Sequence, residues 1–87
     1  MRVVQPSFFK KDIKKQKRRG KNLDKLKATV ELLVVGATLP DRCFDHSLSG
    51  NWLGWRDCHI EPDWILIYKI TPDTLTLGRT GSHADLF

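Results

Sequence analysis

Trp64-Ile65-Leu66-Ile67-Tyr68-Lys69-Ile70 is apolar on both faces of an extended chain, and it is bounded by the turn signals Glu61-Pro62-Asp63 and Thr71-Pro72-Asp73. A strand with two apolar faces belongs in the middle of a sheet, because an edge or half-solvated strand would alternate with polar residues. Its neighbours in sequence do alternate. Trp52 to Ile60 and Thr74 to Thr80 repeat with period two, so the second half of the chain reads as three hairpin-linked strands. In the first of these, alternation puts Trp55, Asp57 and His59 on one face and Arg56, Cys58 and Ile60 on the other, so His59 shares its face with a carboxylate.

Outward from this sheet toward the N-terminus the period changes. Met1 to Gln5 is short and β-prone at Val3 and Val4. Pro6 and Ser7 then offer a helix start and Gly20 a C-cap. Phe8, Phe9 and Ile13 are the only large apolar side chains of that helix, so one narrow face is available for burial. Asn22 is placed to cap a second helix, whose Leu23, Leu26, Val30 and Leu33 recur at intervals of 3, 4 and 3 before Gly36 and Pro40 end it. That stripe is expected to be the main cover of the sheet. With 87 residues the chain buries only about 60–65% of its unfolded surface, which suits one sheet and one layer of helices. A single domain over 1–87 is therefore expected, α+β in class and β-α-α-β-β-β in order.

Charge divides the chain. Residues 1–27 hold 11 Lys or Arg against Asp12 and Asp24, a net of +9, whereas residues 28–87 hold four basic residues against eight acids, a net of −4. A focused positive field of this kind is suited to a phosphate backbone; a membrane surface or an acidic protein partner is the competing reading of charge alone. The basic start leaves no apolar core for a signal peptide, and no run approaches the ~20 apolar residues of a membrane span. A cytosolic (cytoplasmic) protein without membrane contact is expected. Cys43 and Cys58 have no CxxC spacing and read as buried thiols.

The three histidines, His46, His59 and His83, all lie in the acidic half. Histidine is the side chain that titrates near neutral pH, and each of the three has a structural role as its ordinary alternative. No HxH or HxxxH pair occurs and the cysteines stand at no recognised ligand spacing, so no metal and no cofactor is expected. Trp52, Trp55 and Trp64 are core or strand-face residues by default.

His46, the run Gly54-Trp55-Arg56-Asp57-Cys58-His59-Ile60-Glu61-Pro62-Asp63-Trp64-Ile65-Leu66-Ile67-Tyr68-Lys69 and the tail Arg79-Thr80-Gly81-Ser82-His83-Ala84-Asp85-Leu86-Phe87 together resemble the YafQ branch of the RelE/ParE toxin superfamily. The resemblance spans nearly the whole chain and is most specific in its second half. It implies a RelE-like fold, with an N-terminal strand and two helices on one face of a curved antiparallel sheet, and room for a short extra strand or a C-terminal turn. It further implies a toxin of a bacterial type II toxin–antitoxin system that cleaves mRNA on the ribosome. The partners so implied are a DinJ/RelB-like antitoxin, ribosome-bound mRNA, 16S rRNA, and operator DNA reached only through the antitoxin complex. The functional positions implied are His46, His59, Asp63, Trp64, Arg79, His83 and Phe87. Ser82 and Cys58 depart from the residues common in the family, and neither change removes an acid, base or cation.

These groups are suited to metal-independent attack of a ribose 2′-hydroxyl on the adjacent phosphate, a reaction that needs a base, an acid and a cation on the transition state. His46 is expected as base, His83 as acid and Arg79 as electrostatic stabiliser, with the first two roles exchangeable. His59 and Asp63 are expected to position the scissile nucleotide or tune a neighbouring group. Lys10, Lys11, Lys14, Lys15, Lys17, Arg18, Arg19 and Lys21 are expected on RNA phosphates. Trp64 is expected to be partly structural and partly substrate-facing, and Phe87 either a core plug or a stacking platform. A non-catalytic nucleic-acid-binding module and a ParE-like gyrase inhibitor are the alternatives.

Overall fold

The computed structural model describes residues 1–87. The chain runs β1 (Arg2–Val4), α1 (Ser7–Arg18), α2 (Leu23–Val34), β2 (His46–Ser47), β3 (Arg56–Glu61), β4 (Trp64–Ile70), β5 (Thr74–Gly81) and α3 (His83–Leu86), with single 3-10 turns at Asp41–Cys43 and Gly50–Trp52. The strands form one sheet in the order β1-β5-β4-β3-β2, so the doubly apolar strand is central. The short extra strand is β2, and the C-terminal turn is α3.

The sheet is mixed rather than purely antiparallel. β1 runs parallel to β5, pairing Arg2 with Thr74 and Val4 with Thr76, whereas the other three pairings are antiparallel. Only strands joined by tight hairpins are obliged to alternate in direction. β1 is separated from the hairpin run by both helices and takes the free edge of the last strand.

Local signals set the helix limits. Asn22 caps α2, its side chain accepting a hydrogen bond from the Asp24 amide at 3.0 Å. Gly20 and Gly36 follow the helices at φ +82° and +72°, a left-handed backbone that glycine adopts without steric cost. The first strand starts later than its alternation predicts. Gly54 at φ +92° and the preceding 3-10 turn interrupt extended backbone, so Trp52 and Trp55 lie outside β3 and pack edge to face at 5.6 Å.

Phe9, Leu26 and Leu33 from the helices meet Cys58, Ile60, Trp64, Leu66, Tyr68, Leu75 and Leu77 from one face of the sheet. Each such aliphatic or aromatic side chain contributes ~1.5–3 kcal/mol on burial. Cys43 and Cys58 are free and buried. The α2 stripe is not the sole cover: α2 contacts β3 while α1 packs along β5. Between them stays an apolar groove of about 790 Å³ lined by Val3, Phe9, Ile13, Leu26, Val30 and Leu77 among others.

Candidate active site

Strand register builds the site on the face of the sheet opposite the helices. One row runs His46, Asp57, Ile67, Arg79, and the next runs His59, Ile65, Gly81. Ile65 and Ile67, both fully buried, are the apolar floor beneath the polar groups. From Gly81 the chain turns through Ser82 into α3, which brings His83 beside His59 with ring centroids 5.4 Å apart. Gly81 is required there by packing, since a Cβ would stand 2.7 Å from Oδ2 and 2.9 Å from Cβ of Asp85.

All three imidazoles are tethered through the same nitrogen. Nδ1 of His46 lies 2.6 Å from the Phe44 carbonyl, Nδ1 of His59 lies 3.2 Å from the Pro62 carbonyl, and Nδ1 of His83 lies 2.7 Å from Asp63 Oδ1. A carbonyl or carboxylate oxygen can only accept, so Nδ1 carries the proton in each ring and Nε2 is left for a substrate. A neutral ring then offers a lone pair at Nε2, and a protonated ring offers a proton at the same atom.

Two carboxylates serve this set. Asp63 was expected to act with His59; its oxygen instead accepts from both the backbone N–H and Nδ1 of His83, and these bonds hold the Asp63 carboxyl below its ordinary range. The hairpin turn and the start of α3 are thus tied together, a proximity that a separation of 20 positions along the chain conceals.

Asp57 was missed as a site residue, although alternation had placed it on the histidine face. It is 4% exposed, and its Oδ1 stands 3.0 Å from His46 Nδ1. This is a close contact rather than an aligned hydrogen bond, because the Nδ1 proton is directed at the Phe44 carbonyl. Burial pushes the Asp57 carboxyl up, and the charges of His46, His59 and His83, in that order, draw it back. The carboxylate therefore senses all three rings from beneath.

Arg79 is committed on one side. Its Nε and Nη2 donate to Asp12 of α1 at 2.7 and 3.2 Å, Phe8 lies over its guanidinium at 4.3 Å, and Asp12 also accepts from the Thr80 amide at 3.1 Å. Two of its five donors are thus used structurally, which leaves Nη1 for an anion. Asp12 and Gln16, buried on α1, were not anticipated, since helical periodicity weighs apolar side chains only.

Trp64 is corrected to a core residue. It has no exposed surface and its indole N–H donates to Thr80 Oγ1 at 2.9 Å, so no face is presented to substrate. Phe87 is the reverse: 61% exposed and 6.4 Å from His83 between ring centroids, it is not a core plug.

Part of the basic surface is also engaged internally. Lys15 and Arg19 pair with Asp85, and Lys21 and Lys25 pair with Glu61. Lys10, Lys11, Lys14, Lys17 and Arg18 are the exposed cations of α1 left outside these pairs. The Asp85 pairs, with a Ser82–Asp85 capping box, moor α3 and so His83, and hold the Asp85 carboxyl well below the usual carboxylate range. No three His, Cys, Asp or Glu side chains are grouped so as to hold a metal ion, and no helix is long and apolar enough to cross a membrane.

Comparison with known proteins matches this arrangement to one family. The family model described as a bacterial toxin of type II toxin-antitoxin system, YafQ, matches residues 1–87. The mRNA interferase toxin YafQ of Escherichia coli is 49% identical over 80 residues, covering 91% of this chain and 87% of that protein. The crystal structure of E. coli YafQ superposes with a TM-score of 0.94 at 44% identity, covering 100% of this chain and 99% of that one. YafQ in the E. coli DinJ-YafQ toxin-antitoxin complex gives 0.91 at 45% identity, over 98% and 94% of the two chains. The chain belongs to the YafQ family of toxins of bacterial type II toxin-antitoxin systems.

Proposed function

We propose that this toxin is a ribosome-dependent mRNA endoribonuclease working by metal-independent acid–base catalysis. The observation that carries the reading is the common tethering of His46, His59 and His83 through Nδ1, with carboxylates placed against two of them. The base takes the 2′-hydroxyl proton at Nε2 as O2′ attacks the adjacent phosphorus. The acid gives its Nε2 proton to the departing 5′-oxygen, leaving a 2′,3′-cyclic phosphate and a 5′-hydroxyl. His46, beside Asp57, is assigned the base and His83, held by Asp63, the acid; His59 and Asp63 position the nucleotide and the His83 ring. Arg79 Nη1 supports the charge on the transition state.

The free cations of α1 suit rRNA and mRNA phosphates, and the bound message supplies the substrate in the ribosomal A site. The E. coli relative was crystallised with DinJ, and a DinJ-like antitoxin is the partner inferred here, seated partly on the apolar groove between α1 and α2. Operator DNA would be reached through the antitoxin. The cytosol is the compartment in which these partners occur, and residues 1–87 act as one domain.

Primer extension on messages after brief expression, with end-group analysis of RNA cut by purified toxin and ribosomes, tests the reading. Clustered cuts with cyclic-phosphate and 5′-hydroxyl ends, absent in His83→Gln, are expected. Ends bearing a 5′-phosphate, or cuts that persist in His83→Gln, would overturn it.

A further inference from the structure

Phe44 occupies an unusual position for its type. Its backbone is left-handed, at φ 46° and ψ 45°, the only non-glycine residue of the chain with positive φ. For an L side chain this costs ~1–2 kcal/mol, and nothing is recovered by burial because the ring is 69% exposed. Stability therefore does not explain it. Its neighbours are fixed: Cys43 lies in the core, the Phe44 carbonyl accepts the His46 proton, and Asp45 is bound by Tyr68 and by Arg56. The phenyl ring is consequently held out from an anchored backbone.

It is held toward the histidines. Phe44 meets His59 edge-on at 5.9 Å, His59 meets His83 at 5.4 Å and His83 meets Phe87 at 6.4 Å, a row of four rings with an exposed phenylalanine at each end. Phe44 and His59 also line a cleft of about 360 Å³ with Arg42, Ile60, Glu61 and Pro62. That volume is at the scale of a small ligand site. Arg42 is exposed and forms none of the ion pairs of the structure, while the charge of Glu61 is already met by Lys21 and Lys25.

We infer that this cleft is a nucleotide subsite, in which the base of a single-stranded RNA residue next to the scissile phosphate stacks on Phe44 and its phosphate is taken by Arg42. A flat apolar face beside an uncommitted guanidinium fits a nucleotide better than a peptide side chain, which has no use for both. The inference deepens the ribonuclease reading and rests on it for the word "scissile", but stacking itself can be measured without cleavage.

Wild type, Phe44→Ala, Phe44→Trp and Phe44→Leu are compared in two assays: anisotropy with a 2′-O-methyl RNA hexamer library, which cannot undergo 2′-hydroxyl attack, and cleavage kinetics with kcat and KM separated. Because the ring is exposed, Phe44→Ala keeps the fold, checked by thermal melting. Stacking worth ~1–3 kcal/mol predicts about 5- to 150-fold weaker binding and a matching rise in KM for Phe44→Ala, with kcat within about threefold. Tryptophan restores both and leucine does not. Arg42→Ala lowers the salt dependence of hexamer binding by ~0.7 in log–log slope. Unchanged binding in Phe44→Ala, or recovery by leucine equal to that by tryptophan, overturns the inference, the latter indicating an apolar protein contact instead. Hexamer binding by wild type without cleavage of ribosome-bound mRNA would sink the ribonuclease reading while leaving the stacking result standing.

Discussion

Nδ1 of His46 lies 3.0 Å from a carboxylate oxygen of Asp57 that is buried and has no aligned hydrogen-bond donor. A carboxylate left in that condition is tolerated where charge is useful, and here the charge bears on three imidazoles at once.

Replacing Asp57 by Asn should separate stability from activity. Burial raises the folded-state pKa of Asp57 above its unfolded value, so its contribution to stability is present at acid pH and is lost as pH rises through the raised value. At pH 7 the ionised group is a burden. Asp57→Asn is expected to melt higher than wild type at pH 7, with the difference shrinking toward pH 4. Its cleavage rate should fall about 10- to 100-fold, a fraction of the ~10²- to 10⁴-fold attributed to a proton-transfer group. Equal melting and equal rates would remove Asp57 from the site.

The tautomers are open to direct measurement. Long-range ¹H–¹⁵N spectra at alkaline pH should place the proton on Nδ1 in all three histidines, because carbonyl and carboxylate oxygens receive it. Asp63→Asn should leave His46 and His59 unchanged and alter His83. The usual Nε2–H form at His83 in wild type would contradict the proposed presentation of its Nε2.

Mooring of the acid depends on Asp85. Its folded-state pKa is depressed by Arg19 first, then by the Ser82 amide, so its stabilisation is present above the ordinary carboxylate value of ~4 and is lost as pH falls. Asp85→Asn removes the ion pairs with Lys15 and Arg19 but retains a cap for Ser82. Cleavage is expected to drop roughly tenfold while the circular dichroism of the sheet is kept, with earlier hydrogen exchange at residues 83–87. Full activity in this variant would show that His83 is positioned by Asp63 alone.

Asp12 binds α1 to β5 through Arg79 and the Thr80 amide. Asp12→Ala strands both donors at a largely buried position and should cost about 1.5–3 kcal/mol in urea denaturation. It should also free Arg79, so residual activity measured below the melting transition reports how much its present orientation matters. An unchanged unfolding midpoint would show that water replaces Asp12 without cost.

Neutralising Lys10, Lys11 and Lys14 together should reduce the log–log salt slope of ribosome or RNA binding by ~0.7 for each phosphate these side chains neutralise. The same change should leave the melting temperature within about a degree, since these cations are exposed and unpaired. A slope equal to that of wild type would move the phosphate-binding surface elsewhere on the molecule.

Much of the architecture was legible because it is written locally. The doubly apolar run from Trp64 to Ile70, the Pro-Asp turns, the Asn22 cap and the period of Leu26, Val30 and Leu33 each depend on residues a few positions apart, and each appears where its pattern predicts. The late start of β3 was hidden because Gly54 disrupts a sequence that otherwise alternates. The direction of β1 was hidden because no short-range rule fixes a strand that is delivered by two helices.

By itself the sequence determined the α+β class, the central strand, the concentration of positive charge near α1 and the confinement of all three histidines to the sheet half. Tertiary structure alone decided which carboxylate serves which imidazole, that Trp64 is sealed in the core, that Lys15, Arg19 and Lys21 are already paired, and that Phe44 stands at one end of the ring row. The physical reason is separation along the chain: Asp63 meets His83 across 20 residues and Asp12 meets Arg79 across 67. Such contacts depend on how the strands stack in register and where α3 docks, and periodicity carries no information about either.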